Sequence, residues 1–155
     1  MRDKRFVAVH RGGSLEKEQH RLLMNWARKC AEHILPLLGD TVDERLSNAL
    51  MTAAEWEKGN VTVGVARNAA LDAISVAGRS SNPVTIAVAR SVGHAVATAH
   101  MADHSLGAAS YALKAIKSAG KSTDSERTWQ NEQLPSEIRE LVLAARSMKE
   151  KNFKI

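Results

Sequence analysis

A chain of 155 residues can bury a sizeable core, but with only 4% aromatic side chains and abundant alanine it does not resemble a β-sandwich; its net charge is +5. One cysteine, Cys30, excludes an intrachain disulfide and a zinc site of several thiolates, and makes a reducing cytoplasm the natural compartment. No apolar h-region follows the charged start Met1–Arg5, and no apolar run approaches the roughly 20 residues of a bilayer span, so neither a signal peptide nor a membrane segment is expected.

The expectation is one all-α domain over residues 1–155, a compact bundle of six or seven helices around a buried Ala/His-rich central helix. Residues 1–13 read as an extended arm: Phe6, Val7 and Val9 precede the breaker Arg11-Gly12-Gly13 and could dock as a short strand. Ser14 is a candidate N-cap for a helix over about 15–38, where Leu22, Leu23, Trp26, Cys30, Ile34 and Leu37 form one apolar stripe. Cys30 then reads as a buried, inert thiol. Pro36 and Gly39-Asp40 end this helix.

Thr41 and Glu44 have the spacing of a capping box for a second helix over about 42–58, with Leu46, Ala49, Leu50, Ala53 and Trp56 inward and Gly59 closing it. Glu55 and Glu57 flank Trp56 and should reach solvent. Thr62 caps a third helix to about 79. Asn82-Pro83, an N-cap followed by proline at the first helical position, starts a long segment over about 83–119. From Ser91 to Ala102 it carries no Asp, Glu, Lys or Arg, which places it inside on all sides. A break is expected near Asp103-His104-Ser105. Lys121–Ser125 reads as a loop, Trp129 sits in a short helix or turn before Leu134-Pro135, and a last helix covers about 136–150 with Asn152–Ile155 fraying.

His94, His100 and His104 carry the chemistry. His100 and His104 are spaced i,i+4 and share a face on a continuous helix, which is ligand spacing for a divalent metal; Asp103, His94 or the distant His33 could complete such a site. The glutamate of a metallopeptidase motif is absent. All three histidines converge only if the helix breaks. Otherwise the imidazoles satisfy buried carbonyls, or one another, between close-packed helices. The candidate polar pocket or partner contact is therefore His94, His100, Asp103 and His104. Trp129, set among polar residues, is a second candidate anchor.

Ser91, Thr98, Ser105 and Cys30 sit in no recognised nucleophile motif, and Gly12-Gly13 lacks the lysine and helix of a phosphate loop. The basic residues are dispersed and without interleaved stacking aromatics, which argues against nucleic acid. No cofactor is implied.

Four stretches together are familiar: Val7–Gly13; His20-Arg21-Leu22-Leu23 with Trp26, Cys30-Ala31-Glu32-His33 and Pro36; Gly93–His104 running on to Tyr111-Ala112-Leu113-Lys114; and Trp129-Gln130 to Gln133-Leu134-Pro135 with Ile138–Leu141. The chain resembles a family of small all-α immunity proteins associated with bacterial polymorphic-toxin systems. The resemblance implies a cytoplasmic protein that binds a cognate protein toxin and blocks it without catalysis, and it carries over no catalytic residue. Two alternatives stay open: a metal-dependent enzyme using His100 and His104, and a nucleic-acid-binding protein. A homo-oligomer formed through a helical face is also open.

Overall fold

The structure, a computed structural model, describes residues 3–153, and side chains over 3–148. Among the described residues the fold is all-α, with seven α-helices: α1 (Lys17–Ile34), α2 (Glu44–Glu57), α3 (Val63–Gly78), α4 (Pro83–Ala97), α5 (His104–Ser118), α6 (Thr123–Glu132) and α7 (Ser136–Phe153). None is long and apolar enough to cross a membrane. The charged start at Met1 and Arg2 and the chain end at Lys154 and Ile155 lie outside the described residues, as do the side chains of Asn152 and Phe153.

α4 is the centre of the bundle. It packs against α1, α2, α3 and α5, and Val88, Ala89, Val92, Ala95 and Val96 are fully buried. The lack of charge in Ser91–Ala102 thus has its expected consequence over most of the stretch, with His94, His100 and Met101 half-buried. α1 and α5 each serve two apolar clusters. Met24, Ala27, Ala31 and Ile34 of α1 face α2, α3 and α4, while Leu23, Trp26 and Cys30 face α5 and α7. Burial pushes the Cys30 thiol far above its ordinary range, so it packs as a small hydrophobe.

Several helix starts follow local chemistry. Thr62 accepts from Val65 N–H at 3.2 Å, and Asn82 accepts from Val84 N–H at 2.9 Å with Pro83 in the first turn. α2 differs from expectation. Its N-cap is Asp43, not Thr41, and Asp43 Oδ1 accepts from Arg45 N–H at 2.9 Å. The Arg45 guanidinium also holds the Asp43 carboxyl down at about 2. A carboxylate two residues before its donor, locked by that residue's own side chain, wins over the threonine hydroxyl.

α1 starts at Lys17, later than the Ser14 cap implied, because Leu15 is used elsewhere. Leu15 N–H donates to Val7 O at 2.9 Å and Val9 N–H to Leu15 O at 3.1 Å, forming an isolated bridge between Ala8 and Leu15. The arm is therefore not an extended strand. It forms two 3₁₀ turns, Lys4–Phe6 and Val9–Arg11, with Phe6 buried. Gly13 allows this fold: a Cβ there would lie 2.0 Å from Val7 O. Likewise, Thr123 already begins α6, capped by Ser122, so the expected loop at 121–125 is shorter.

Glu57 corrects another expectation. It is not solvated but accepts from Arg28 Nε at 2.6 Å and Asn25 Nδ2 at 2.8 Å, tying α2 to α1.

Polar side chains that sequence periodicity does not mark hold the other end of the molecule. Gln130 is fully buried; its Nε2 donates to Ala109 O at 3.1 Å and its carbonyl oxygen Oε1 accepts from Arg146 at 2.7 Å. Trp26 Nε1 donates to Gln130 O at 2.8 Å, and the Arg146 guanidinium lies 5.6 Å from the Trp26 ring. One glutamine thus joins α1, α5, α6 and α7.

Candidate functional site

The central segment carrying the three histidines does break, into two helices. α4 ends at Ala97, residues 98–103 reverse the chain, and α5 begins at His104. The break falls earlier than Asp103-His104-Ser105, and no glycine or proline causes it. Side-chain hydrogen bonds to the backbone hold it instead. Thr98 Oγ1 donates to His94 O at 3.1 Å and Ser105 Oγ to Ala102 O at 2.7 Å. The carbonyl of Thr98 accepts from His20 Nε2 at 2.6 Å, a residue of α1.

α5 then returns antiparallel along α4. Ser91 Oγ donates to Ala108 O at 2.7 Å. Gly107 faces His94 so closely that a Cβ would lie 2.5 Å from His94 Nδ1. Alanine and glycine on both helices permit this approach.

The reversal brings the histidines together from three places: His94 on α4, His100 in the turn and His104 at the start of α5. His94 Nδ1 and His104 Nδ1 are 3.1 Å apart, so one imidazole donates and the other accepts. Their ring centroids are 5.0 Å apart, and those of His100 and His104 5.3 Å. Tyr111 lies 5.1 Å from His94, and Arg90 reaches to 5.9 Å from the Tyr111 ring. Asp103 stands at the N-cap of α5 in a helical conformation.

His100 and His104 do not share the face of one helix, because the turn ends between them. Their rings nevertheless lie close, brought together by the turn and not by the i,i+4 spacing of one helix. Among the described residues no group of three or more His, Cys, Asp or Glu is arranged to hold a metal ion.

Trp129 does not join this cluster. It stacks on His33 with ring centroids 3.5 Å apart and planes at 8°, and His33 Nδ1 pairs with the buried Glu126 at 2.7 Å. His20 meets the break from one end of α1 and His33 meets Trp129 from the other. They stand thirteen positions apart on the helix, about 20 Å. The two candidate anchors are thus far apart.

The hydroxyls considered as nucleophiles serve the backbone. Ser91, Thr98 and Ser105 are buried and each donates to a carbonyl of the α4–α5 hairpin.

Beside the cluster lies a cavity of about 650 Å³ between the N-terminal arm, the start of α1, the end of α2 and the break. His20 and His100 both line it. His20 also packs on Trp56, ring centroids 4.8 Å apart. Burial lowers the His20 pKa, partly offset by its bond to the Thr98 carbonyl. The sequence shows His20 only within a stretch that carries the family resemblance and Trp56 only as an inward-facing residue. Nothing in their spacing reveals that they share a cavity with His100.

Residues 13–137 match the family described as "Imm-5 like putative immunity protein". The matched stretch includes Gly93–His104; residues 7–12 and Ile138–Leu141 lie outside it. Comparisons with curated proteins and with solved structures found no match. The match spans most of the chain, and the protein belongs to the Imm-5 like immunity protein family.

Proposed function

We propose that the chain neutralises a cognate bacterial toxin by binding and occluding it, without catalysis. The family match over residues 13–137 carries this reading. The chemistry of the interior supports it. Three candidate hydroxyls are committed to backbone carbonyls, and the one thiol is buried with its pKa pushed up. The net charge of +5 favours an acidic partner by electrostatic steering. In this reading the histidine cluster around His94, His100, Asp103 and His104 shapes a contact surface beside the cavity.

The test is co-expression with a toxin encoded beside this gene, followed by titration of the purified pair. Growth should be rescued, and protection in vitro should saturate near an equimolar ratio. Growth arrest despite abundant folded protein would sink the proposal. Full protection at a small fraction of the toxin concentration would instead indicate turnover and contradict the non-catalytic mechanism.

A further inference from the structure

The cavity beside the break is both apolar and basic. Phe6 and Leu15 are buried in its wall, and Trp56 and Met101 are half-buried there. Val9 and Val63 line it too and remain 53% and 39% exposed, so apolar surface continues from the floor to the rim. Arg11 and Lys17 are exposed lining residues, and Arg21 is half-exposed beside them. His10, His20 and His100 add imidazoles, while among the lining residues Glu16 is the one carboxylate. α1 and α3 both begin at this wall, which adds the positive ends of two helices.

We infer that this cavity docks an acidic segment of the protein partner that also carries apolar side chains. The apolar side chains enter between Phe6, Leu15 and Trp56, and the carboxylates stay at the rim with Arg11, Lys17 and Arg21. Arg21 already has Glu18 at 4.0 Å, but a basic segment would still face Arg11 and Lys17, and a purely apolar one would leave those two without a counter-charge as water is displaced. The occupant follows from charge complementarity together with an apolar floor. The inference rests on the reading of the chain as a toxin-binding protein. Phe6 to Arg11 precede the matched stretch 13–137, so part of the wall lies outside the region that defines the family.

The probe is a short labelled peptide of alternating glutamate and leucine, titrated against the full chain, with a lysine–leucine peptide as its counterpart. The acidic peptide should bind, shift the Trp56 indole N–H resonance while leaving that of Trp129 in place, and weaken as salt is raised. The triple variant R11E/K17E/R21E should lose affinity about 100-fold, because it replaces three attractive contacts by repulsive ones. K114E/K117E/K121E, on exposed positions at the end of α5 and beyond, makes the same change in net charge and should stay within about threefold. Thermal melts verify that both variants are folded.

Equal losses in the two variants, a bound peptide that leaves Trp56 unmoved, or no binding of the acidic peptide would overturn the inference. The growth assay reads the proposed function separately. Failed rescue with intact peptide binding strikes the function, and successful rescue with failed peptide binding strikes the cavity.

Discussion

His20 Nε2 donates a 2.6 Å hydrogen bond to the carbonyl of Thr98, across 78 positions of sequence. The bond joins the start of α1 to the turn in which α4 ends. It satisfies a carbonyl that the interrupted helix no longer uses, and it holds an imidazole in a site where burial lowers its pKa. In the folded chain His20 therefore takes up a proton at lower pH than in the unfolded chain, where its pKa is about 6.5. Above that value both states are neutral and the group contributes no pH dependence. As pH falls below it the unfolded chain binds the proton first, and stability is lost until pH passes the lowered folded value. H20Q retains an N–H donor without this titration. Between pH of about 7.5 and about 5.5 its melting temperature should fall less than that of the natural protein. Equal falls in thermal melts would refute this account.

The closeness of Gly107 to His94 yields a second prediction. An alanine in mid-helix normally stabilises relative to glycine by up to about 1 kcal/mol. At position 107 the added Cβ would meet His94 Nδ1 at 2.5 Å. G107A should therefore destabilise by roughly 1–3 kcal/mol, as overpacking does. Gly64, also helical, has only Thr62 Oγ1 near its prospective Cβ, at 3.7 Å, and G64A should be neutral or stabilising. Denaturant unfolding of both variants checks the contrast, and similar effects at both positions would refute it.

Gln130 and Arg146 form a buried pair at 2.7 Å. R146A leaves a buried amide oxygen without this donor and removes the guanidinium from beside Trp26, at a cost of about 2–4 kcal/mol. Replacing both partners by apolar residues, Q130L/R146M, should cost less than the sum of Q130L and R146M, because neither partner is then left with an unmet polar group. A double-mutant cycle by urea unfolding measures the coupling. Strict additivity would mean that the bond contributes nothing beyond packing.

The start of α2 distinguishes two caps. D43A should destabilise by about 1 kcal/mol through loss of the bond to Arg45 N–H. T41A should leave the melting temperature unchanged within error. The reverse ranking would restore the capping box read from Thr41 and Glu44.

Much of the helical scaffold was legible in the chain. Thr62, Asn82-Pro83 and Gly59 stand where helix ends are observed, because these signals act on backbone groups a few residues away. The arm at Lys4–Arg11 and the start of α1 differ from what local pattern implies because a tertiary bridge claims Leu15. Glu57, Gln130 and Arg146 escape the sequence for a related reason: periodicity registers apolar faces, and a buried polar side chain is identified only by its partner, here 15 to 32 positions away.

The site divides along the same line. By itself the sequence determined that the fold is helical, that Ser91–Ala102 is interior, and that three histidines lie close together along the chain, since these follow from local propensity and from the absence of charge. Only the tertiary structure decided where that segment breaks, that His94, His100 and His104 converge while Trp129 stacks on His33 elsewhere, and that a basic-rimmed cavity opens beside the turn. The reason is physical. The break is braced by a hydrogen bond from His20, and the cavity is walled by an arm packed against three other segments, so both involve contacts between residues that local pattern does not connect.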